Sequence, residues 1–372
     1  MPLAKLRAGL YGAGAFGRFL LQTLRDSEDL QITALANRTY ERGLSAAREY
    51  GISTVHRSYE ALLSDEALEA IIVATPPADH GVAVLSAVQA GKHVFVEKPL
   101  AITLESAQRI LQAAAGRARR VAIDYPMIYT PLVEAMQLFR SSRLAGRLIR
   151  VALENVASCE GLEDDHWFWN RNLSGGIFVE HGVHFFDWCG ALLAEPTLIT
   201  AMTAVNGLRE DRVFAAVQHA DGALATYFHA FITTPKNERT RTMIAFESLD
   251  VTLDGWIPTV MRLAGPSAVV ATTTIRRMLH RSVESTPHAD AGFIFNAGPK
   301  QEVYANGVRA AASDFVRAVR EPGYIPRNDV TRAYESLRVA VAARTAAANG
   351  ISEKLSAGRP ALTRSSPHPE TV

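Results

Sequence analysis

Gly12-Ala13-Gly14-Ala15-Phe16-Gly17 spaces three glycines as G-x-G-x-x-G, between an apolar run, Leu6–Tyr11, and a helix-periodic stretch at 16–24. In that context the first glycine makes a tight turn and the second lets a pyrophosphate approach the backbone. The third allows close helix–strand packing. The phosphates of a dinucleotide then meet the positive helix N-terminus at Ala15 and Phe16. Twenty positions beyond Gly17 stand Asn37 and Arg38, where a carboxylate would hold both hydroxyls of an NAD ribose. None is there. Arg38 offers a guanidinium to a 2′-phosphate and a plane to adenine, so NADP is expected, with NAD as the other possibility. A solvated loop arginine is the structural alternative.

Two strand ends carry further candidates. His93-Val94-Phe95-Val96-Glu97-Lys98-Pro99 closes an apolar run with a charged pair and a proline. Ligands of open α/β sheets bind beyond the carboxyl ends of the strands, which puts Glu97 and Lys98 at a cofactor cleft. Pro99 restricts Lys98 to extended geometry, and a desolvated lysine suits a developing alkoxide. An ordinary strand-end salt bridge is the plain alternative. Upstream, Thr75-Pro76-Pro77-Ala78-Asp79-His80 ends a strand in the same way. It offers a Thr-Pro contact to the nicotinamide ribose or, more plainly, a turn into a helix with Asp79 as N-cap.

The segment from Ser174-Gly175-Gly176 to Asp187, read as a helix, puts Glu180, His184 and Asp187 at i, i+4 and i+7. They form one polar face on an otherwise apolar element. Histidine exchanges protons near neutral pH, and a carboxylate one turn away orients the imidazole. Hydride transfer needs such a pair, because the substrate oxygen gains or loses a proton as hydride moves. Two other readings stay open on the residues alone. A lone histidine in a core helix is more often structural, and a metal set of Glu180 with the two histidines lacks the H-E-x-x-H spacing. Nearby, His166-Trp167-Phe168-Trp169-Asn170-Arg171 gathers aromatic faces suited to sugar C–H surfaces. Arg171, Asp164 or Asp165 would serve hydroxyls or a phosphate, and aromatic packing under a loop is the rival.

These groups need a scaffold. Before residue 125, strands expected at Leu6–Tyr11, 31–36, 70–74, His93–Glu97 and 120–125 alternate with helices at 16–24, 41–50, 58–63, 79–90 and 103–115. The alternation implies βαβ units, hence a doubly wound parallel sheet of Rossmann type. After a helix at 131–140, segments 147–157, 197–206, 212–219, 223–232, 240–249 and 268–274 read as strands, some joined by turns such as Ala220-Asp221-Gly222. Strands without intervening helices argue an antiparallel sheet. Residues 275–300 carry no clear pattern, and helices at 307–320 and 329–348 follow. The expected domains are 1–124 for the dinucleotide and 125–350 for substrate and oligomerisation. The Ser-, Pro- and Arg-rich stretch 351–372 is expected to be a disordered tail.

Composition narrows the class. The chain has 372 residues, is 48% hydrophobic and 21% charged, and carries a net charge of +1. It can bury a large core, and its charge favours neither nucleic acid nor an anionic membrane. Two cysteines, Cys159 and Cys189, make no disulfide framework. No signal peptide or long apolar span stands out, so a cytoplasmic location is expected.

The ordered set Gly12-x-Gly14-x-x-Gly17, Thr75-Pro76-Pro77-x-x-His80, Ala90-Gly91-Lys92-His93-Val94 and Glu97-Lys98-Pro99 resembles the glucose-fructose oxidoreductase/inositol dehydrogenase/MocA (Gfo/Idh/MocA) family over residues 5–125. The resemblance implies a Rossmann domain followed by an α+β domain on a large, mostly antiparallel open sheet. It also implies NAD(P)-dependent oxidation or reduction of sugars, cyclitols and related hydroxy or keto compounds. The family's second motif, a Gly-Gly pair with Asp, His and Asp at four- and three-residue spacings, matches Gly175, Gly176, His184 and Asp187. His184 then inherits the general acid/base role with Lys98 beside it, and Glu180 takes the place of the family's Asp. At 124–131, where many members carry Asn-x-Arg before an aromatic residue and proline, only Tyr129 and Pro131 are kept. Tyr129, Trp167, Trp169, Arg171 and Asp187 are the candidate substrate contacts. A redox-neutral, NAD-dependent glycoside-cleaving enzyme and a non-catalytic nucleotide sensor are the rival readings. An open sheet face makes a homo-oligomer, dimer or tetramer, the expected assembly.

Overall fold

The computed structural model describes residues 4–279, 283–288 and 292–355. The chain forms two compact units. One holds the chain up to Asp124 together with Ala312–Glu335; the other holds Tyr125–Ala311 and resumes at Ser336.

In the first unit the strands are β1 (Leu6–Tyr11), β2 (Leu30–Ala36), β3 (Thr54–His56), β4 (Ala70–Val73), β5 (His93–Glu97) and β6 (Val121–Asp124). Between them run helices α1 (Ala15–Thr23), α2 (Tyr40–Tyr50), α3 (Tyr59–Leu63), α4 (Pro77–Gln89) and α5 (Leu104–Arg117). All six strands pair in parallel, in the order β3-β2-β1-β4-β5-β6. The centre is apolar without alternation: every residue of β4, Ala-Ile-Ile-Val, is buried, as a sheet covered on both faces requires. Strand order reverses between β1 and β4, and ligands of such sheets bind in the crevice at that point. Strand β3 is not evident in the sequence, because its three residues, one exposed and two half-exposed, leave no apolar run. Helix α4 opens at Pro77 with Pro76 as N-cap, so Asp79 lies in its first turn rather than capping it.

The returning stretch completes this core. Phe315 packs on Phe95 with ring centroids 5.8 Å apart. Arg320 pairs with Glu69 at 2.7 Å, and Asn328 Nδ2 donates to the Ile123 carbonyl at 2.7 Å.

The second unit begins with a 3-10 turn, Pro126–Tyr129, and α6 (Pro131–Ser142). Strand β7 (Leu148–Ser158) leads to α7 (Arg171–Ser174), a π-helical turn over Phe178–Gly182, and α8 (Val183–Gly190). Then follow β8 (Pro196–Asn206), β9 (Arg209–His219), β10 (Leu224–Thr233), β11 (Arg239–Phe246), β12 (Asp250–Asp254) and β13 (Val260–Ala264). The rest are α9 (Ala268–Met278), β14 (Glu284–His288), β15 (Gly292–Asn296), α10 (Lys300–Arg320), α11 (Val330–Asn349) and β16 (Glu353–Lys354). Helices α10 and α11 each give one end to either unit. Ten strands form one sheet, ordered β14-β15-β13-β12-β11-β7-β10-β9-β8-β16, with β7 and β10 the parallel pair and the others antiparallel. Its inner face is buried under the π-helical turn and α8: Phe186 lies 4.7 Å from Tyr227, and Phe185 5.0 Å from His229. Its outer face shows Met202, Leu224, Ile232 and Met243 to solvent.

Four expectations are corrected here. Residues 268–274 are helix, not strand. Ala268, Ala271, Thr272 and Ile275 are buried at i, i+3, i+4 and i+7, a helical stripe that overrides the β-branched composition. The strand expected over 240–249 ends at Phe246, and β12 and β13 follow it as short strands broken by Gly255 and Gly265, both at positive φ. The unpatterned 275–300 contains the end of α9, β14 and β15, and α10 starts at Lys300 rather than 307. The expected tail begins too early: Glu353 and Lys354 pair with Ile199 and Leu198 of β8, whereas 356–372 lie outside the described residues. Among the described residues no helix is long and apolar enough to cross a membrane.

Candidate functional site

In the first unit the chemistry gathers at the carboxyl ends of β1, β4 and β5. Gly12 has φ +100°, and a Cβ there would lie 2.5 Å from the Ala74 carbonyl oxygen; one on Gly17 would lie 2.0 Å from Gly12 O. Those two glycines are demanded by packing alone. Gly14 is different. It caps α1 with φ −73°, and a Cβ there would meet nothing within 4 Å. The space above Gly14 is therefore open, at a helix N-terminus that has no side-chain cap and no acidic residue in its first turn. That is the cradle a pyrophosphate needs. Ala15 is exposed and Phe16 half-exposed at the same turn.

Asn37 braces the glycine loop: its Oδ1 accepts from Ala13 N at 2.9 Å and its Nδ2 donates to Thr39 O at 2.8 Å. Arg38 is exposed and makes no ion pair among the described residues. Thr75 Oγ1 is buried without a hydrogen-bond partner among the described residues, an orphaned group beside Pro76 at the β4 end. His80 is wholly buried, with Nε2 2.7 Å from Thr75 O and Nδ1 2.7 Å from Pro99 O. Burial holds its ring below the ordinary histidine value, against the pull of the two carbonyls. His80 thus ties the β4 and β5 ends together. Glu97 accepts from the Lys98 backbone N–H at 2.9 Å, and Lys98 is buried. Asp124, opposite Glu97 in the β5–β6 register, is buried too. Burial, then Glu97, holds its carboxyl well above the usual carboxylate range, with Lys98 pulling the other way.

In the second unit the Gly175-Gly176 pair turns the chain at φ +84° and +83° into the π-helical turn. This corrects the expected face: Glu180 and His181 sit in an i→i+5 turn, so Glu180 does not share a simple α-helical stripe with His184 and Asp187. Single π-turns of this kind concentrate at functional sites. His184, the second residue of α8, is buried, with the Tyr125 ring edge-on at 6.3 Å and the Trp256 ring perpendicular at 5.6 Å. Asp187 is buried and accepts from Ser336 Oγ at 3.1 Å. Arg171 is ion-paired with Glu210, and Asp164 with Arg209, whose guanidinium lies 5.2 Å over Trp169. Trp169 Nε1 also donates to Leu162 O at 3.1 Å, and Trp167 lies against His166 at 5.3 Å. Trp169 and Arg171 are thus tied to the start of β9 through Arg209 and Glu210. Tyr129 is half-buried at the end of the 3-10 turn.

Residues 6–125 match the family described as Oxidoreductase family, NAD-binding Rossmann fold, and residues 140–248 match the GFO/IDH/MocA C-terminal domain. Together they take in more than half of the chain. The chain belongs to the Gfo/Idh/MocA oxidoreductase family. As a member it is an NAD(P)-dependent oxidoreductase. Among its relatives is the 1,5-anhydro-D-fructose reductase of Ensifer adhaerens, 28% identical over 61% of this chain and 70% of that protein. Another is the D-xylose 1-dehydrogenase (NADP(+)) 2 of Haloferax volcanii, 24% identical over 93% of this chain and 99% of that one. A levoglucosan dehydrogenase solved with NADH shares the fold, with a TM-score of 0.80 at 18% identity over 95% of this chain and 100% of its own.

Several residues packed around His184 and the π-helical turn of this Gfo/Idh/MocA member belong to no motif of the sequence. Trp256 stands alone in its stretch and gave no motif. Asn155, His229 and Thr240 carry a readable signal: each is a polar strand residue at a position where the period-two alternation demands an apolar one.

Proposed function

We propose that this family member prefers NADP(H) and interconverts a hydroxyl and a carbonyl on a sugar, cyclitol or related small molecule. The observation that carries the reading is His184, a histidine buried between the Tyr125 and Trp256 rings at the family's motif position. Gly14 at the open α1 N-terminus would hold the pyrophosphate of the cofactor, and Thr75 and Pro76 its nicotinamide ribose; the bound cofactor would supply hydride acceptance or donation. His184 takes the hydroxyl proton during oxidation and returns it to the alkoxide during reduction. Lys98 holds the developing alkoxide charge with its ammonium, and Glu180 orients the imidazole. The preference for the 2′-phosphate is supported by Asn37, engaged with Ala13 N and Thr39 O, and by exposed Arg38. The sugar-like substrate is supported by what the relatives are named for. Cys159 and Cys189 are free thiols, in keeping with a reducing, cytoplasmic compartment.

We also infer a homo-oligomer built on the outer face of the ten-stranded sheet. There Met202, Phe214 and Phe228 stand opposite one another on β8, β9 and β10. The deciding experiment is NADPH oxidation and NADP reduction against keto sugars and polyols, in native protein and in His184→Ala. The variant should lose about 10²- to 10⁴-fold in kcat while cofactor affinity barely moves. Near-native turnover in His184→Ala would put the proton relay elsewhere.

A further inference from the structure

Across the inner face of the second unit's sheet, three polar side chains replace the expected apolar ones at one level. His229 of β10 stands opposite Asn155 of β7, and Asn155 opposite Thr240 of β11. All three are buried, and burying polar groups costs stability unless they are satisfied or serve a purpose. Thr240 Oγ1 donates to Asn155 Oδ1 at 2.7 Å. That bond turns the amide nitrogen toward the π-helical turn, where Nδ2 lies 3.0 Å from His181 Nε2. An amide nitrogen only donates, so Nε2 accepts, and the proton of the neutral ring stands on Nδ1. Donation into Nε2 also favours the neutral form over the charged one.

The ring is fixed on its other sides. Phe185 lies 5.2 Å away, Phe231 4.9 Å, and the His229 ring stands perpendicular at 5.3 Å. Burial holds the His229 pKa well below the ordinary value, so that ring is neutral too. Glu180 precedes His181 in the chain, and His184 follows it by one turn. His181 is half-buried, so part of the ring reaches the surface of its unit.

We propose that His181 is a specificity residue, held by Thr240 and Asn155 as an Nδ1–H donor that selects substrates carrying an acceptor-only oxygen near the reacting carbinol. A carboxylate or a carbonyl is such a group. A histidine free to choose its tautomer serves donors and acceptors alike; one held by a strand-borne amide serves acceptors, and a charged acceptor best. Asn155 and Thr240 are positioning residues in this scheme. The inference rests on the reading of His184 as proton relay, since only then does a donor one turn away bear on the substrate.

Nitrogen-15 imidazole spectra of the full-length protein report the tautomer without any turnover. Native protein should show His181 protonated on Nδ1. Asn155→Asp, nearly isosteric, replaces the donor by an acceptor and should move the proton to Nε2 and keep the ring charged to higher pH. Thr240→Val, which only frees the amide to turn over, should give a mixture of tautomers. Adding an aldonate should shift the Nδ1–H resonance, and adding the alditol of the same skeleton should not. In the kinetic arm, His181→Phe should raise KM for the aldonate by about 3- to 10-fold, as loss of one hydrogen bond does, and more than it lowers kcat. An Nε2–H tautomer in native protein overturns the proposal. So does an equal rise in KM for aldonate and alditol. Both failures are distinct from loss of the oxidoreductase reading, which His184→Ala decides alone.

Discussion

Gly14 is the glycine whose Cβ space is empty, and that gives the cofactor assignment a sharp test. Gly14→Val keeps an ordinary backbone conformation, φ −73°, so the variant should fold with near-native Tm while losing NADP binding. Gly12→Ala should instead destabilise by about 1–3 kcal/mol, because its Cβ meets the Ala74 carbonyl at positive φ. Thermal denaturation beside cofactor titration separates the two; unchanged affinity in Gly14→Val would remove the pyrophosphate from that loop. Arg38→Ala should erase the NADP preference, a loss of about 1–3 kcal/mol for a hydrogen bond to a charged group. A native preference for NAD in the same titration would mean that Arg38 only faces solvent. At this scale the sequence reveals residue types well and partners poorly. Lys98, His184 and the glycines announce themselves by spacing. Nothing in the chain says that Asn37 will brace Ala13, that His80 will clamp two carbonyls, or that Asp187 will bind Ser336, because those partners are set by tertiary contacts.

His93 opens β5, and its Nδ1 accepts from the Arg120 backbone N–H, just before β6, at 3.0 Å. Burial, helped by Arg119 and Arg120, pushes the ring down to about 4 from an ordinary 6.5. Below pH 6.5 the unfolded chain takes up a proton that the folded chain refuses, so stability falls as pH drops toward about 4 and the slope ends below it. His93→Asn, which keeps an acceptor and cannot titrate there, should flatten that limb; Tm measured across it is the readout, and an unchanged slope would assign the acid limb to carboxylates. Elements were legible where pattern and length agreed, as in β1, β4 and α2. They were lost in β3, whose three residues carry little apolar surface, and in β12 and β15, whose apolar residues make runs too short to tell strand from loop. In α9, Val-Val and Thr-Thr-Thr suggest a strand, yet the buried positions repeat at helical spacing. The π-helical turn is invisible to any fixed period, since it breaks the period itself.

For the whole molecule, the two architectures follow from the chain's two habits, βαβ alternation first and strand-after-strand later. The outer sheet face is the feature with the broadest physical consequence. Its row of exposed Met202 and half-exposed Phe214 and Phe228 lies on antiparallel neighbours, and this apolar row is what the proposed homo-oligomer would cover. Met202→Glu with Phe214→Lys should convert an assembled native protein to a smaller species in sedimentation without unfolding it. A native protein that already sediments as a monomer would end the oligomer proposal.

The first unit is assembled from two distant stretches of chain, and synthesis must respect that. Domains usually fold in order as they leave the ribosome. Here the Phe95 ring waits for Phe315, Glu69 for Arg320, and the Ile123 carbonyl for Asn328. A nascent chain released at residue 124 is therefore an unfinished product with an uncovered core. The same holds for recombination. A single crossover at that point joins a cofactor half to the wrong closing piece, so a working chimera must carry its own Ala312–Glu335 along with everything up to Asp124.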